Sequence, residues 1–198
     1  MGRRLLKVFE PELAKIKSEE MRALTKKILV DDCTDYILKC STASSGKYHP
    51  DWSNGEGGLI RHTKAVCKAT ETILKQMPKY DGEDWDVPYI AAILHDMAKY
   101  TENNQQWSHQ DHPIRMADKV RQHIVYYNTP LALTEVDKRW CRVVDCIECH
   151  MSRWFKDNKG QRLGTLPSSH ESWIVAHADM IMAQKFITVQ FDENNNVI

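Results

Sequence analysis

The chain has 198 residues, enough for one domain with a sizeable core, and it balances 27 lysines and arginines against 27 aspartates and glutamates. A formal charge of zero excludes the surface-wide basic footprint of a nucleic-acid-coating protein. No apolar run reaches the length of a membrane span or of a secretory signal core, so the expected setting is cytoplasmic, with no membrane partner.

Nine histidines are many for this length and direct attention to titratable and metal-binding roles. Cys33, Cys40, Cys67, Cys141, Cys146 and Cys149 are scattered through helical patterns, as reduced thiols are and a disulfide framework is not. Gly2 invites a myristoylation reading, which fails because Leu6 stands where that signal needs Ser or Thr.

In chain order, Pro11 opens a short helix. A longer helical region runs from Ser18 to about Lys39, with Leu24, Ile28, Cys33, Tyr36 and Ile37 as apolar contacts. Ser18 suits its N-cap, Glu19 and Glu20 suit the positive end of its dipole, and the Asp31-Asp32 pair is where it kinks or divides. From Ser41 to Gly58 the composition turns to Gly, Ser, Pro and Asn, the mark of a loop. There His49, Trp52 and Asn54 either border a pocket or belong to a surface loop anchored by Tyr48 and Trp52. The next helix, about Leu59 to Gln76, carries Ala65, Val66, Ala69 and Ile73 on its apolar stripe. His62 shares that stripe and points inward, as a hydrogen-bonded core residue or as a ligand.

The stretch Ala91–Tyr100, AAILHDMAKY, is the centre of the chain. Ile90, Ile93, Leu94 and Met97 recur at helical spacing and Ala91, Ala92 and Ala98 allow close approach, which places the adjacent pair His95-Asp96 inside a buried helix. A carboxylate buried alone is costly, so a buried Asp normally has a metal or a cation beside it. Successive helical residues lie about 100° apart, so His95 and Asp96 can converge on one ion, and Lys99 falls one turn later. The alternative is a solvated His-Asp-Lys face.

A polar loop from Thr101 to Pro113 leads into a helix with Ile114, Ala117, Val120 and Ile124 as its apolar positions. Pro113 suits the first helical position, which puts His112 at the helix mouth, facing a cavity. His109 and His123 read as ordinary polar residues. A helix from about Glu135 to Met151 has Trp140, Val143, Val144, Ile147 and Met151 on its core face and His150 on the inner side near its end. Cys146-Ile147-Glu148-Cys149-His150 matches the haem-attachment pattern, but it lies in a strongly periodic helix of a chain without an export signal, so no haem is expected. The final helix holds Trp173, Ile174, Ala176, Met180, Ile181 and Met182, with Asp179 among them as a second buried acid. His177 turns about 200° from Asp179 and cannot share its ion. The segment KFITVQFDENNNVI alternates like a small edge strand or hairpin.

His62, His95, Asp96, His112, His150 and Asp179 thus face inward from different predicted helices, the adjacent pair excepted. In this order, with GGLIRHT, AAILHDMAK and VAHADMIMA as core motifs, the chain resembles the HD-domain metal-dependent phosphohydrolases over roughly residues 21–185, with 186–198 as a tail to a single HD domain. The histidines of QDHPIRMADKV and CIECHMSRW look like the extended pattern of two-metal members. In flavour the strings are similar to the catalytic domain of HD-type 3′–5′ exoribonucleases, and the ligand order also occurs in HD-type diadenosine tetraphosphate hydrolases. Asp111-His112 departs from the Gly-His of the exonuclease group, and no OB-fold precedes the HD domain, so the strand-tracking module of a processive enzyme is missing.

The resemblance implies an all-α helical bundle around a buried metal centre. By carry-over His62, His95, Asp96 and Asp179 would bind one metal, and Asp96 would bridge to a second held by His112 and His150. Imidazole and carboxylate donors suit one or two ions of Mn, Fe, Co, Ni or Zn better than Mg or Ca. The implied reaction is hydrolysis of a nucleotide phosphoanhydride or phosphodiester by metal-activated hydroxide. Lys99 would neutralise a phosphoryl oxygen beside Asp96, and Arg61 and Arg115 would assist as substrate contacts. A 3′–5′ nuclease acting on short single strands and a non-catalytic nucleotide-binding or regulatory module are the competing readings. An all-structural reading, with the six residues as satisfied core polars, predicts a metal-free protein whose melting ignores chelators.

Overall fold

In the computed structural model the described residues are 3–43, 49–80, 82–101, 108–124, 134–156 and 159–198; Tyr48, expected to anchor its loop, lies outside them. The helices are α1 (Arg3–Val8), α2 (Glu10–Leu13), α3 (Glu19–Asp31), α4 (Gly58–Lys75), α5 (Asp86–Leu94), α6 (His112–His123), α7 (Glu135–Cys149) and α8 (His170–Met182), with short 3-10 turns between them. The class is all-α, and among the described residues no helix is long and apolar enough to cross a membrane.

Helix α5 is the axis. All nine of its residues are buried, and it packs against α4, α7 and α8, which also contact one another through the α4–α8 and α7–α8 pairs. Helix α6 lies on α7, and α3 packs against both α1 and α6. A helix apolar on every side can only be central, and the run Val87 to Leu94 leaves no polar face for solvent. Its start is fixed by Asp86, whose fully buried carboxylate accepts hydrogen bonds from the Lys17 (2.8 Å) and Ser18 (2.7 Å) amides. Those amides precede α3, so one carboxylate joins two helix beginnings.

The region from Ser18 divides where the Asp pair stands. Ser18 caps α3 by accepting from the Met21 amide, α3 ends at Asp31, and Thr34 caps a 3-10 turn over Asp35–Lys39. Asp32 then ties this break to α6: its carboxylate pairs with His123, and its carbonyl accepts from the Lys119 ammonium. One helix face differs from its sequence reading. On α6 Ile114 is exposed and Met116 is buried in its place. On α8 Trp173 and Ile181 are exposed, 42% and 38%, while Val175 and Ala178 face the core. Apolar residues occur all round α8, so periodicity could not choose its inner face.

Residues 187–198 form the expected hairpin in miniature. A single antiparallel bridge pairs Phe191 with Val197, and the Asp192 carboxylate accepts from the Asn194 and Asn196 amides in the turn. This tail is strapped over the start of α4. Trp52 donates Nε1–H to the Ile187 carbonyl (2.8 Å), Arg61 reaches Asn195 (3.2 Å), and the buried Lys64 reaches Asn196.

The loop before α4 closes against the helix at Gly58. A Cβ there would stand 2.1 Å from the Ser53 carbonyl oxygen and 3.3 Å from the Ser41 Cα, so backbone approaches backbone. Gly58→Ala is expected to destabilise the protein by about 3 kcal/mol, the upper range for overpacking, because no side chain can rotate away. A urea melt reads this as a lower midpoint at unchanged slope.

Candidate metal centre

Six side chains meet beside the end of α5. His62 comes from the second turn of α4, and Asp179 from the last turns of α8, 117 residues away; His62 Nε2 lies 2.9 Å from Asp179 Oδ1. His112 is the first residue of α6, and His150 is the C-cap of α7. His95 and Asp96 do not continue a helix as the sequence suggests. Helix α5 stops at Leu94, and tight turns follow, with the Met97 amide bonded to Leu94 O and the Lys99 amide to Asp96 O, each 3.0 Å. This tightening brings the Lys99 ammonium to 2.9 Å from Asp96 Oδ2.

Asp96 is the hub. His95 Nε2 (3.6 Å), His62 Nε2 (3.9 Å) and Lys99 surround its Oδ2, while His112 Nε2 (2.9 Å) and His150 Nε2 (3.7 Å) surround its Oδ1. Two trios of mutually close donor atoms result, His62-His95-Asp96 and Asp96-His112-His150, all buried. Asp179 is partly open, its side chain 19% exposed, and its Oδ1 also lies 3.9 Å from His95 Nε2.

Three imidazoles are held in the same way. His95, His112 and His150 place Nδ1 at 2.8, 2.7 and 2.7 Å from the carbonyls of Ala92, His109 and Ile147. A carbonyl only accepts, so each Nδ1 carries the proton and each neutral ring turns its Nε2 lone pair inward. This second bond is how proteins orient metal-binding imidazoles. The consequence without a cation is unfavourable: the Nε2 atoms of His112 and His150 lie 3.2 Å apart, and His95 Nε2 and Asp96 Oδ1 are buried without hydrogen-bond partners. A cationic occupant of borderline softness relieves all of this at once, so the donor set fits a divalent metal.

The electrostatics agree for the two acids and for His95 and His112, while His150 is drawn the other way. Burial opposes ionisation of Asp96, but Lys99, His95 and His112 outweigh it and hold the carboxyl well below the usual range. Asp179 is likewise lowered, burial being overcome by His62, then His95 and His150. Burial lowers His95 to about 4 and also lowers His112, favouring the neutral rings that ligate. At His150 burial is outweighed by the Asp96 and Asp179 carboxylates, which raise it.

Arg61 and Arg115 have partners elsewhere. Arg61 donates to the carbonyls of Trp52, Asn54 (2.9 Å) and Glu56 (3.1 Å) as well as to Asn195, which makes it the clasp of the loop before α4. Arg115 pairs with Asp111 at 2.7 Å on the exposed side of α6. The C-x-x-C-H string lies along α7, where Cys149 donates to the Asp145 carbonyl and burial pushes its thiol up to about 11. His177 is exposed and stacks on Trp173, away from Asp179 as expected.

One residue brought to the centre stands outside the six. His49 sets its ring edge-on to His62, with centroids 5.2 Å apart and planes at 86°. Its sequence signal was only its place in a polar loop.

A family model described as HD domain matches residues 59–183, a span that holds every one of the six clustered residues. The match is to the HD domain in general and does not single out a subfamily. No curated protein and no solved structure matches the chain. The order of the motifs, the shared Asp96 and the family match lead to one statement: the chain belongs to the HD domain family, whose members are generally metal-dependent hydrolases.

Proposed function

We propose that the protein is a metal-dependent phosphohydrolase that cleaves a phosphoanhydride or phosphodiester bond of a nucleotide. The observation that carries this reading is Asp96, one buried carboxylate shared by two donor trios with a lysine ammonium 2.9 Å away. In this reading His62, His95, Asp96 and Asp179 hold one ion, and Asp96, His112 and His150 hold a second. Divalent ions bound there supply Lewis acidity and a nucleophile at neutral pH.

The chain's own contribution is orientation and charge. Nδ1–H bonds to backbone carbonyls fix three imidazoles before any ligand arrives, so little reorganisation remains for the reaction. Lys99 is the cation that would face a nonbridging phosphoryl oxygen, and its side chain retains 12% exposure. With Arg61 and Arg115 engaged elsewhere, Lys99 takes the substrate-contact role alone among the three.

The test is product identification by chromatography. Chelator-treated, Mn-reloaded protein is incubated with deoxynucleoside triphosphates, dinucleoside polyphosphates, cyclic nucleotides and a short RNA. Turnover of one class that vanishes on chelation is expected, and mononucleotides released stepwise from the RNA would favour the nuclease reading instead. No turnover of any class by Mn-loaded protein would sink the proposal. Metal should also act on stability: Mn at 100 times its Kd is expected to add about 2.7 kcal/mol, read as a rise in Tm that chelator reverses. A Tm indifferent to Mn would contradict a resident metal.

A further inference from the structure

His49 belongs to neither donor trio, yet it lies within electrostatic reach of Lys99, Asp179 and Asp96 and packs edge-on against His62. Its Nδ1 is buried without a hydrogen-bond partner. The three locked imidazoles differ in kind: each has its Nδ1 tied to a backbone carbonyl, the bond that aims a ring at a metal, and His49 has no such tie. A neutral imidazole always carries one N–H, so a ring edge-on to His62 and within electrostatic reach of Lys99 is suited to donate to an anion.

Its loop is held, which makes the placement specific. Arg61 grips the carbonyls of Trp52, Asn54 and Glu56, Ser53 caps back on Pro50, and Trp52 is bonded to Ile187. Five bonds on residues 50–56 fix the chain directly after His49.

We infer that His49 is a substrate-contact residue, donating an imidazole N–H to an oxygen of the phosphoryl group bound beside Lys99. This rests on the phosphohydrolase reading and adds a residue to it. The role is recognition of a tetrahedral oxyanion, shared with the Lys99 ammonium, while the ring edge against His62 sets the donor's position.

The experiment uses the full chain loaded with Mn and inorganic phosphate as the probe, with binding followed by calorimetry and metal content by elemental analysis. His49→Phe keeps a ring against His62 and removes the donor, and His49→Gln keeps an N–H at similar reach. The expected result is phosphate affinity lowered roughly 10–100-fold in His49→Phe and largely kept in His49→Gln, with Mn content equal in all three proteins. Wild-type phosphate affinity in His49→Phe overturns the inference, and so does loss of Mn in either variant, which would make the ring a ligand or a wedge. If His49→Phe does not fold, His49→Ala replaces it under the same criteria. A wild-type protein that turns over nucleotides while His49→Phe binds phosphate normally would defeat this inference alone. Failure of the wild type to turn over any nucleotide or to bind phosphate would defeat the phosphohydrolase reading with it.

Discussion

Asp96→Asn is expected to lower metal-dependent turnover by more than about 10³-fold while leaving the helical content intact. Loss of a single preorganised polar contact at a reacting centre already costs about 10²–10³ in rate, and Asp96 serves both trios at once. The amide keeps the shape of the carboxylate but presents no charge to His62, His95, His112, His150 or Lys99. Mn content measured after gel filtration should fall together with the rate, which separates loss of the centre from loss of substrate. Turnover within about tenfold of wild type, with Mn retained, would remove Asp96 from the centre of the mechanism and with it the reading of a shared bridging carboxylate.

The largest stability effect is expected away from the metal. Lys64 is wholly buried in α4, its ammonium 3.2 Å from Glu12 Oε2, in contact with Asn196 and 5.7 Å from the centre of the Phe9 ring. Glu12 Oε2 is itself buried and makes no aligned hydrogen bond, so the ammonium is its compensation. Lys64→Met leaves that carboxylate unpaired in the core, at about 3–5 kcal/mol, or a fall in Tm of roughly 6–20 °C for a chain of this size. Glu12→Leu combined with Lys64→Met should recover most of the loss, since an apolar pair replaces an ionic one without an orphan charge. Thermal melts of the two single variants and the double decide this, and additive losses in the double variant would refute the pairing.

The centre was legible in the sequence because its residues break the rules of the helices that carry them. A histidine on the apolar stripe of α4, an acid among the apolar residues of α8 and an His-Asp pair after Leu94 all stand where periodicity calls for hydrocarbon. Caps were legible for the same local reason, as Ser18 before α3 and Pro113 in the first turn of α6 show. Local signals could not show where α5 ends. Nothing in AAILHDMAKY is a breaker, and the turns after Leu94 go with long-range contacts that local pattern cannot show, of Asp96 with His62, His112 and His150 and of His95 with Asp179. The partners of Arg61 were not legible for a related reason. Its neighbour His62 faces the centre, but its own guanidinium is claimed by three carbonyls of the preceding loop, a tertiary arrangement that residue type alone does not disclose. Exposed Trp173 and Ile181 show the limit of pattern reading on α8, whose apolar residues are not confined to one stripe.

The strap over α4 also has a meaning in time. Arg61 and Lys64 find Asn195 and Asn196 only 134 and 132 residues further along the chain. At synthesis rates of about 5–20 residues per second, the interval between making the two halves of this clasp is roughly 7–27 s. Throughout it the first half of the protein exists with a lysine destined for burial still awaiting one partner, and with the loop of His49 clasped only from within. The brace can therefore form only once Asn195 and Asn196 have been made, and a nascent chain halted between Asp179 and Asn195 would carry all six clustered residues without the contacts that tie α4 to that segment.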